Sequence, residues 1–306
     1  MSDHSFLKRS CPGCSAATFA NSKSVFSQPR AETLTFTDVS EYWRGFRSKN
    51  VFFTFKRCDN CSLLYCPSYL SDLQLSGLYS EMDDNTAGEH IDTLKRTQAR
   101  YVTDMSDSID LQGHWLELGA DIGLLTEQLL EQTEIRNVDV IEPNSSVHPT
   151  LLNSLRQRGR LISSLENAES GLYDGITAIH VLDHVTHLDV YLKAIFNLLK
   201  PDGKICFVTH NEKTFIRRFL SRRWPPFCLQ HPQLFSPSSM SFALELQGFK
   251  VVRISKTTNY FSLRHVASVL FSLFRIPPWF LKAVPEVIIP MKLGNILTIA
   301  EKQSPG

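Results

Sequence analysis

Strand-like and helical segments alternate from residue 113 onward, and this alternation constrains the fold more than any other feature of the chain. Segments with helical periodicity separate four strand-like runs, HWLELGA, NVDVIEP, GITAIHVL and KICFVTH. Strands that alternate with helices in this way form a parallel sheet that is covered on both faces. Because ligands of such sheets bind beyond the carboxyl ends of the strands, functional side chains are expected there.

The first strand-like run leads into LELGADIGLLTEQL, residues 116–129, which joins a predicted strand to a predicted helix. Gly119 permits a sharp bend out of the strand, and Gly123 allows close approach of a ligand or tight packing of the helix. A dinucleotide-binding loop reads G-x-G-x-x-G, whereas here Asp121 stands in the centre. Because a pyrophosphate prefers bare backbone amides without a nearby anion, Asp121 and Glu117 favour the cationic S-adenosylmethionine over NAD.

The next strand-like run ends at another acid, Glu142, in DVIEPN. The Glu142 carboxylate can accept hydrogen bonds from both hydroxyls of an adenosine ribose. NAD and S-adenosylmethionine share that ribose, so Glu142 by itself does not distinguish between them. The loop and this strand end together predict a set of cofactor-binding residues: Glu117, Gly119, Ala120, Asp121, Gly123, Glu142, Pro143 and Asn144.

Four of the seven cysteines form two C-x-x-C pairs, and each pair lies in a predicted tight turn. The pairs are Cys11 with Cys14, around Pro-Gly, and Cys58 with Cys61, around Asp-Asn. Two thiolates on such a turn can face one tetrahedral zinc ion, and a second turn completes the site. A redox pair or an incidental spacing is the alternative reading of a single C-x-x-C. The two pairs together predict one structural zinc site in a zinc-ribbon-like module over residues 1–80.

The charge balance argues against a nucleic-acid partner. Lys and Arg number 32 against 31 Asp and Glu, which gives a formal net charge of +1, so no overall field attracts nucleic acid or an anionic membrane. The N-terminal residues carry no apolar stretch of signal-peptide length, and no apolar run reaches the length of a membrane span. We therefore expect a cytoplasmic protein with reduced cysteines and no membrane span.

The region from residue 114 to residue 210 resembles the class I S-adenosylmethionine-dependent methyltransferases in four motifs that occur in that family's order. The motifs are the glycine-rich turn Glu117–Gly123, the acid Glu142 after the second strand, the segment Val181–Val185 after the fourth strand and the turn Leu199–Gly203. The resemblance implies an α/β fold with a Rossmann-like, seven-stranded methyltransferase sheet over residues 113–306, and S-adenosylmethionine as methyl donor. It also implies that His180 and Val181 contact the methionine end of the donor.

The N-terminal region is similar to the zinc-binding modules of deoxysugar C-methyltransferases, in which a segment ending near L-Y-S follows the second cysteine pair. Here that segment runs from Cys58 to Ser80. Those enzymes also carry Y-H-E-H-L-x-Y-F-S, whose tyrosine and second histidine resemble a proton-abstracting pair. This chain has CLQHPQLFS, which keeps His231 but places Cys228 and Gln230 at the tyrosine and glutamate positions. The resemblance implies a sugar or another secondary metabolite as acceptor.

Methyl transfer to a hydroxyl or an amine requires removal of a proton, and histidine suits that task near neutral pH. His231 is the first candidate base, because of the motif resemblance, and His210 at the end of the fifth strand is the second. Tyr260 is a third candidate, although an aromatic residue at a strand end is more often a packing residue. The predicted reaction is methyl transfer to oxygen or nitrogen of a small molecule, with carbon as the nearest alternative. The alternative functions are an rRNA methyltransferase and a catalytically silent, zinc-dependent interaction module.

Three further segments complete the predicted organisation. Residues 81–112 are predicted to form a linking helix, and residues 211–240 a lid over the site. The lid carries four arginines, which form either a solvated helix face or a phosphate clamp for a nucleotide-linked or carrier-linked acceptor: Arg217, Arg218, Arg222 and Arg223. Residues 261–293 form an apolar insert interrupted by prolines, which is predicted to be a lid or the surface of a homodimer.

Overall fold

The N-terminal part of the protein is built from short strands and two helices. The computed structural model describes residues 6–17, 23–44, 50–80, 91–274 and 277–303. The N-terminal elements are β1 (Leu7–Lys8), β2 (Ser24–Val25), α1 (Phe36–Trp43), β3 (Phe55–Arg57), β4 (Leu64–Tyr65), β5 (Ser68–Tyr69) and α2 (Asp72–Ser80). Thr35 begins α1 with a capping box, in which its hydroxyl accepts the Asp38 amide and the Asp38 carboxylate accepts the Thr35 amide.

Strands and helices alternate through the rest of the chain, as the sequence predicts. The elements are α3 (Ile91–Ser106), β6 (Gly113–Leu118), α4 (Leu124–Leu130), β7 (Ile135–Ile141), α5 (His148–Ser154), β8 (Leu161–Ile162), β9 (Tyr173–Ile179), α6 (Leu188–Leu198), β10 (Leu199–His210), α7 (Phe215–Leu220), β11 (Gln233–Leu234), α8 (Pro237–Leu246), β12 (Phe249–Lys256), β13 (Asn259–Ser262), α9 (Leu263–Phe274), β14 (Ile288–Met291) and β15 (Asn295–Lys302). Helix α3 lies in the predicted linking segment, whose first part, residues 81–90, is outside the described residues.

A seven-stranded sheet forms the centre of the fold, in the order β12-β15-β10-β9-β6-β7-β8. Strand β15 runs antiparallel to β10 and β12, and the pairs from β10 to β8 are parallel. Side chains that alternate along the central strands are buried on opposite faces, with Leu116 in one core cluster and Trp115 in the other. The prediction of a Rossmann-like, seven-stranded sheet is therefore confirmed.

The central strand β6 lies between β7 and β9. The chain continues from β6 to β7 and β8 on one side and then crosses to β9 on the other side. Such a switch in strand order opens a crevice at the carboxyl ends of the strands, where open α/β sheets bind ligands. The loops that follow β6, β7, β9 and β10 all meet at this edge. The predicted cofactor-binding residues after β6, β7 and β9 therefore lie at the same edge of the sheet.

The N-terminal part is joined to the large sheet by a strand and by buried polar contacts. Strand β11 pairs antiparallel with β4 and completes a four-stranded sheet in the order β11-β4-β3-β2. Part of the segment predicted as a lid, 211–240, is thus an edge strand of the N-terminal sheet. Arg57 also donates two hydrogen bonds of 2.9 Å to Glu212, whose side chain is only 1% exposed. This geometry holds the end of β10 against the N-terminal sheet.

The last part of the chain forms two separate antiparallel strand pairs. Strand β12 pairs with β15, and β13 pairs with β14. The β13 backbone lies against α3, where the Tyr260 amide donates to Thr97 and the Asn259 side chain donates to Tyr101. The insert at 261–293 contains α9 and β14, and its role as a lid or dimer surface stays a prediction. In the described part of the chain, no helix combines the length and apolarity needed to cross a bilayer.

Candidate functional site

The loop between β6 and α4 takes a left-handed backbone conformation at alternate residues. The φ angles are +67° at Gly119, +50° at Asp121 and +83° at Gly123. A Cβ atom on Gly119 would lie 2.6 Å from the Val181 side chain, so only glycine fits where this loop meets the one after β9. Aspartate is among the few other residues that tolerate positive φ. Asp121 therefore adopts the left-handed conformation that glycine would adopt in the centre of a dinucleotide-binding loop.

Glu142 is oriented at the end of β7 by two backbone amides. Its Oε2 accepts a hydrogen bond of 2.8 Å from the Asp121 amide, and its Oε1 accepts one of 2.7 Å from the Asn144 amide. Each carboxylate oxygen can accept more than one hydrogen bond, so both remain able to accept hydroxyl groups of a ligand. The carboxylate that the sequence assigns to a ribose is thus tied to the same loop that Asp121 shapes.

Glu117 is buried beneath this loop, with 2% of its surface exposed. Burial raises the pKa of Glu117 to about 8, despite a hydrogen bond donated by the Thr126 hydroxyl, and the charges of Glu142 and Asp121 act in the same direction as burial. Glu117 is therefore largely protonated at neutral pH, contrary to the anion that the sequence suggested. A positive charge placed beside it would favour its ionised form.

Two histidines are stacked at the ends of β9 and β10. The rings of His180 and His210 lie 4.5 Å apart at an interplanar angle of 29°. Asn295, the first residue of β15, bridges them, because its Oδ1 lies 3.0 Å from His210 Nδ1 and its Nδ2 lies 3.2 Å from His180 Nε2. When His210 Nδ1 donates to the amide oxygen, His210 Nε2 is left unprotonated. Asn295 thereby sets the tautomers of both rings.

Asp183 is a buried carboxylate beside these rings. Its Oδ2 accepts the His210 backbone amide at 3.1 Å and lies 3.8 Å from His180 Nδ1. Among the described residues, Asp183 Oδ1 has no hydrogen-bond partner. Burial opposes the negative charge, but the neighbouring histidines, His180 foremost, outweigh it and hold the pKa of Asp183 below its usual value. A negative charge thus lies under the imidazole cluster.

A third histidine, His231, approaches from the loop before β11. Its ring lies 5.1 Å from that of His210, and its Nδ1 lies 2.8 Å from the Pro226 carbonyl oxygen and 3.3 Å from Cys228 Sγ. Burial alone would lower the pKa of His231, but Cys228, Asp183 and the carbonyl outweigh it and raise that pKa to about 9. The pKa of Cys228 is lowered although burial opposes this shift, mainly by the charge of His231. The contact between the two side chains therefore favours the protonated form of His231 and the ionised form of Cys228.

His210 and a further histidine of the cluster, His184, are neutral near physiological pH. Burial, reinforced by the charge of His180, lowers the pKa of His210 to about 3. Burial also lowers the pKa of His184 well below its usual value, and His231 adds to this effect. The Tyr79 hydroxyl, on α2, lies 3.1 Å from His184 Nδ1, so the N-terminal part of the chain contributes a side chain to the cluster.

His180, Asp183 and His210 offer possible metal ligands, since one atom of each lies within 4.8 Å of the others. Imidazole donates to a metal through a lone pair in the plane of its ring. The planes of two stacked rings meet far from either nitrogen, so both rings cannot face one ion unless one of them rotates. The side-chain amide of Asn295 instead links the two rings through hydrogen bonds.

The structure brings together most of the predicted residues and adds others. His180, His210 and His231 form one cluster, and Val181, next to His180, lies against Gly119 of the loop after β6. Tyr260 stays a prediction, and its backbone bond leads to Thr97 on α3. Sequence reasoning missed Asn295 because its position depends on its pairing with His210 across β10 and β15. It also missed Tyr79, for which the only signal was its place in the L-Y-S segment.

The four predicted zinc ligands converge in the N-terminal part. The Sγ atoms of Cys11, Cys14, Cys58 and Cys61 lie within 4.8 Å of one another, with contacts of 3.4 Å and 3.5 Å between the two turns. These distances are far longer than the roughly 2 Å of a disulfide bond. They are close to the spacing of about 3.8 Å between sulfur atoms that a tetrahedral zinc site with Zn–S bonds of ~2.3 Å requires.

The two cysteine turns are built in the same way. In each, the first cysteine donates its amide to the carbonyl five residues later, Ala16 in one turn and Leu63 in the other. The serine after each second cysteine, Ser15 or Ser62, donates its amide back to the first cysteine and has a φ near +60°. The chain therefore forms the same metal-binding type of turn twice, and the two copies face each other.

Comparison with known proteins identifies the family. A profile described as "Methyltransferase domain" matches residues 90–254, more than half of the chain. The chain belongs to this methyltransferase family. The match covers the loop after β6, Glu142 and the stacked histidines, and it ends within β12.

Curated relatives match a smaller part of the chain. The mitochondrial ubiquinone biosynthesis O-methyltransferase of Mus musculus is 28% identical over 108 residues, which cover 32% of this chain and 28% of that protein. The ubiquinone biosynthesis O-methyltransferase of Idiomarina loihiensis is 27% identical over 139 residues, 41% of this chain and 56% of that protein. The chain thus spans less than two thirds of the length of these relatives.

The fold itself occurs in solved structures. One is a complex of the Haloferax volcanii Trm112 methyltransferase activator with its proposed methyltransferase. The matching chain has a TM-score of 0.50 and 12% identity, over 71% of this chain and 93% of that one. At this level of identity the likeness concerns the fold alone.

The left-handed conformation at Asp121 can be tested with two substitutions. Asp121→Gly and Asp121→Ala both remove the carboxylate, but only alanine keeps a Cβ atom at a φ of +50°. We expect the glycine variant to be more stable than the alanine variant by about 1 kcal/mol in urea denaturation. The same pair at Asp189, in helix α6, should give the opposite order. Equal stability of the two Asp121 variants would contradict the assignment.

Proposed function

We propose that the protein transfers a methyl group from S-adenosylmethionine to an oxygen atom of a small molecule. The observation that carries the proposal is the pairing of Glu142 with the amide of Asp121 at the switch point of the sheet, facing a cluster of histidines. Membership in the methyltransferase domain family supports the same reaction. The oxygen acceptor is supported by the curated relatives, which are named O-methyltransferases.

The crevice provides groups that suit each part of the donor. Glu142 would accept the ribose hydroxyls, and the turn at Gly119 and Ala120 would let the backbone approach closely. Glu117 would become ionised beside the ammonium group, and His180 and Val181 would contact the methionine end. The remaining predicted contacts, Asp121, Gly123, Pro143 and Asn144, shape the turn and the strand end around these groups. S-adenosylmethionine supplies a methyl group on a positively charged sulfur when it is bound.

His210 is the best-supported base, ahead of His231. A base must be unprotonated before the reaction, and His210 is neutral with its Nε2 free, whereas Cys228 keeps His231 protonated. His210 would take the proton of the acceptor hydroxyl, and His231 would stabilise the negative charge that develops on the oxygen. Asp183 would stabilise the imidazolium form of His210 once the proton has moved.

The contact between Cys228 and His231 also bears on the identity of the acceptor. In the deoxysugar C-methyltransferase motif a tyrosine precedes the histidine, whereas here Cys228 contacts His231 and raises its pKa. A protonated imidazole can stabilise a developing oxyanion but cannot abstract a proton from carbon. Oxygen is therefore preferred to carbon or nitrogen, and a quinol, sugar or other secondary metabolite, free or carrier-linked, is the proposed acceptor class.

The cysteine cluster supports a structural zinc ion. Four thiols in two matching turns provide the tetrahedral set that zinc prefers, and all four positions are filled by the protein, as in structural sites. The cluster packs against α8, where Ala243 lies near Gly13 of the first turn. The ion would hold together the part of the chain that supplies Tyr79 and the partner strand of β11.

Two alternative functions remain open to test. Copurified RNA with absorbance at 260 nm would favour the rRNA methyltransferase alternative. The lack of any turnover in a protein that binds S-adenosylmethionine would favour the silent interaction module. Neither has support from a particular contact in the structure.

Donor binding can be measured by isothermal titration calorimetry with S-adenosylmethionine. Glu142→Ala removes the acceptor of two ribose hydroxyls, so we expect its dissociation constant to rise by about a hundredfold. Glu142→Gln, which keeps the shape of the side chain, should lose less. Glu134→Ala, at an exposed acid just before β7 and so at the amino ends of the strands, should bind like the wild type. Unaltered binding by Glu142→Ala, or no binding by the wild type, would contradict the donor site.

The base can be tested by kinetics. His210→Ala should lower kcat by about a hundredfold or more and leave the dissociation constant of S-adenosylmethionine within about twofold. Because the pKa of His210 is lowered to about 3, kcat of the wild type should not fall as the pH drops through 6.5. It should fall as the pH rises through about 9, where His231 loses its proton.

Cys228→Ser provides the control for this pH dependence. Cys228 raises the pKa of His231, so its replacement should shift the alkaline limb of kcat to lower pH. An unshifted limb in this variant, or a wild-type acid limb near pH 6.5, would count against the assigned roles.

Zinc content can be measured directly by elemental analysis. We expect about one zinc ion per chain, lost in the double variant Cys58→Ser with Cys61→Ser and retained in Cys206→Ala. Loss of the ion should also lower the midpoint of thermal unfolding, because a structural zinc ion contributes to folding. A folded wild-type protein without zinc would refute this part of the proposal.

A further inference from the structure

Helix α7 and the turn after it expose aromatic and basic side chains together. Phe215 is 83% exposed and Phe219 is 66% exposed. Arg218, Arg222 and Arg223 are exposed beside them. These five residues are called the arginine–phenylalanine surface below.

The exposure of the two phenylalanines does not serve the packing of α7. The helix already packs its other side, since Ile216 and Leu220 lie against the N-terminal core cluster. A helix on the surface of a protein needs only one apolar face, and its opposite face is ordinarily polar. Phe215 and Phe219 are four residues apart and project together, away from that core. Their exposure therefore points to a partner outside the chain.

The stretch of sequence that contains these side chains carries charge of one sign. Residues 213–244 contain no aspartate or glutamate, while they include Lys213 and four arginines. The whole chain has a formal net charge of only +1, so this positive charge is local to one surface. Arg217 lies over the ring of Phe227, at 5.6 Å, and the other three arginines are free of the core. A partner of this surface is expected to be anionic.

The arginine–phenylalanine surface is followed in the chain by buried core residues, and it adjoins the candidate active site. Trp224 and Phe227, which follow it, are 4% and 0% exposed and belong to the N-terminal core cluster. The Trp224 ring lies 6.3 Å from that of His210. Thr214, which caps α7, lies against Gly294, the residue before Asn295. The segment thus leaves the histidine cluster at the end of β10 and returns to it.

We infer that the arginine–phenylalanine surface docks the protein on an anionic lipid bilayer. Phe215 and Phe219 would enter the boundary between headgroups and acyl chains, and the three arginines would contact lipid phosphates. Lipid is favoured over nucleic acid because the aromatic rings project from a convex helix. Proteins that bind single strands instead place their aromatic residues in a positively charged groove. Docking in this orientation brings the rim of the histidine cluster to the bilayer, where an amphiphilic acceptor would concentrate.

Vesicle cosedimentation tests this inference with the full-length protein. The wild type should bind vesicles of phosphatidylcholine with phosphatidylglycerol and bind phosphatidylcholine alone far more weakly. Each arginine near an anionic surface contributes about a fivefold gain in affinity. The triple variant Arg218→Gln, Arg222→Gln and Arg223→Gln should therefore bind on the order of a hundredfold more weakly. Phe215→Ser with Phe219→Ser should lower the affinity by about tenfold at unchanged charge.

Matched substitutions elsewhere provide the controls. Arg136→Gln, Arg156→Gln and Lys193→Gln remove three exposed positive charges, and Leu152→Ser with Val190→Ser removes two exposed apolar side chains. Both sets should bind vesicles like the wild type. Glu142→Ala should also bind normally, so a failure of the methyl-donor proposal would not affect this result.

Three results would overturn the inference. The wild type could remain in the supernatant with every vesicle, or the control and test variants could bind equally. RNA retardation that depends on the three arginines, without vesicle binding, would make the surface a nucleic-acid interface. A dimer in sedimentation velocity that dissociates in Phe215→Ser with Phe219→Ser would make it a contact between copies of the chain.

Discussion

The hydrogen-bonded pairing of β6 with both β7 and β9 is the constraint on which the rest of the structure depends. Because the chain runs from β6 to β7 and β8 on one side and then crosses to β9 on the other, the loops after β6 and β9 diverge and leave a crevice between them. The close contact of Gly119 with Val181 marks the floor of this crevice. Glu142 and the histidines are functional candidates because they lie at its two sides.

The N-terminal part of the chain completes the site from the other direction. Strand β11 pairs with β4, and Gln233 on β11 donates hydrogen bonds to the carbonyl oxygens of Leu182 and Val185, in the loop after β9. His231 precedes this strand by two residues and is thereby held beside His184, with ring centroids 4.6 Å apart. The pairing of β11 with β4 therefore joins the proposed zinc module to the histidines of the candidate site.

Sequence patterns predicted most of the fold because they reflect local physics. Alternating periodicities identified the parallel strands, and turn residues identified the two cysteine pairs. Patterns failed where long-range pairing decides the outcome: the turn predicted at Leu199–Gly203 is an irregularity within β10. Asn295 was missed for the same reason, since only the β10–β15 register places it beside His210.

The sequence by itself determined the α/β alternation, the glycine-rich turn and the acid at Glu142, because each depends on neighbouring residues and on the period of a helix or strand. Tertiary structure decided the charge states, because burial and nearby charges set them. It made Glu117 neutral, His210 a free base and His231 a cation paired with Cys228. Residue types alone could not assign those roles, since His184, His210 and His231 acquire different pKa values from the neighbours that folding brings to them.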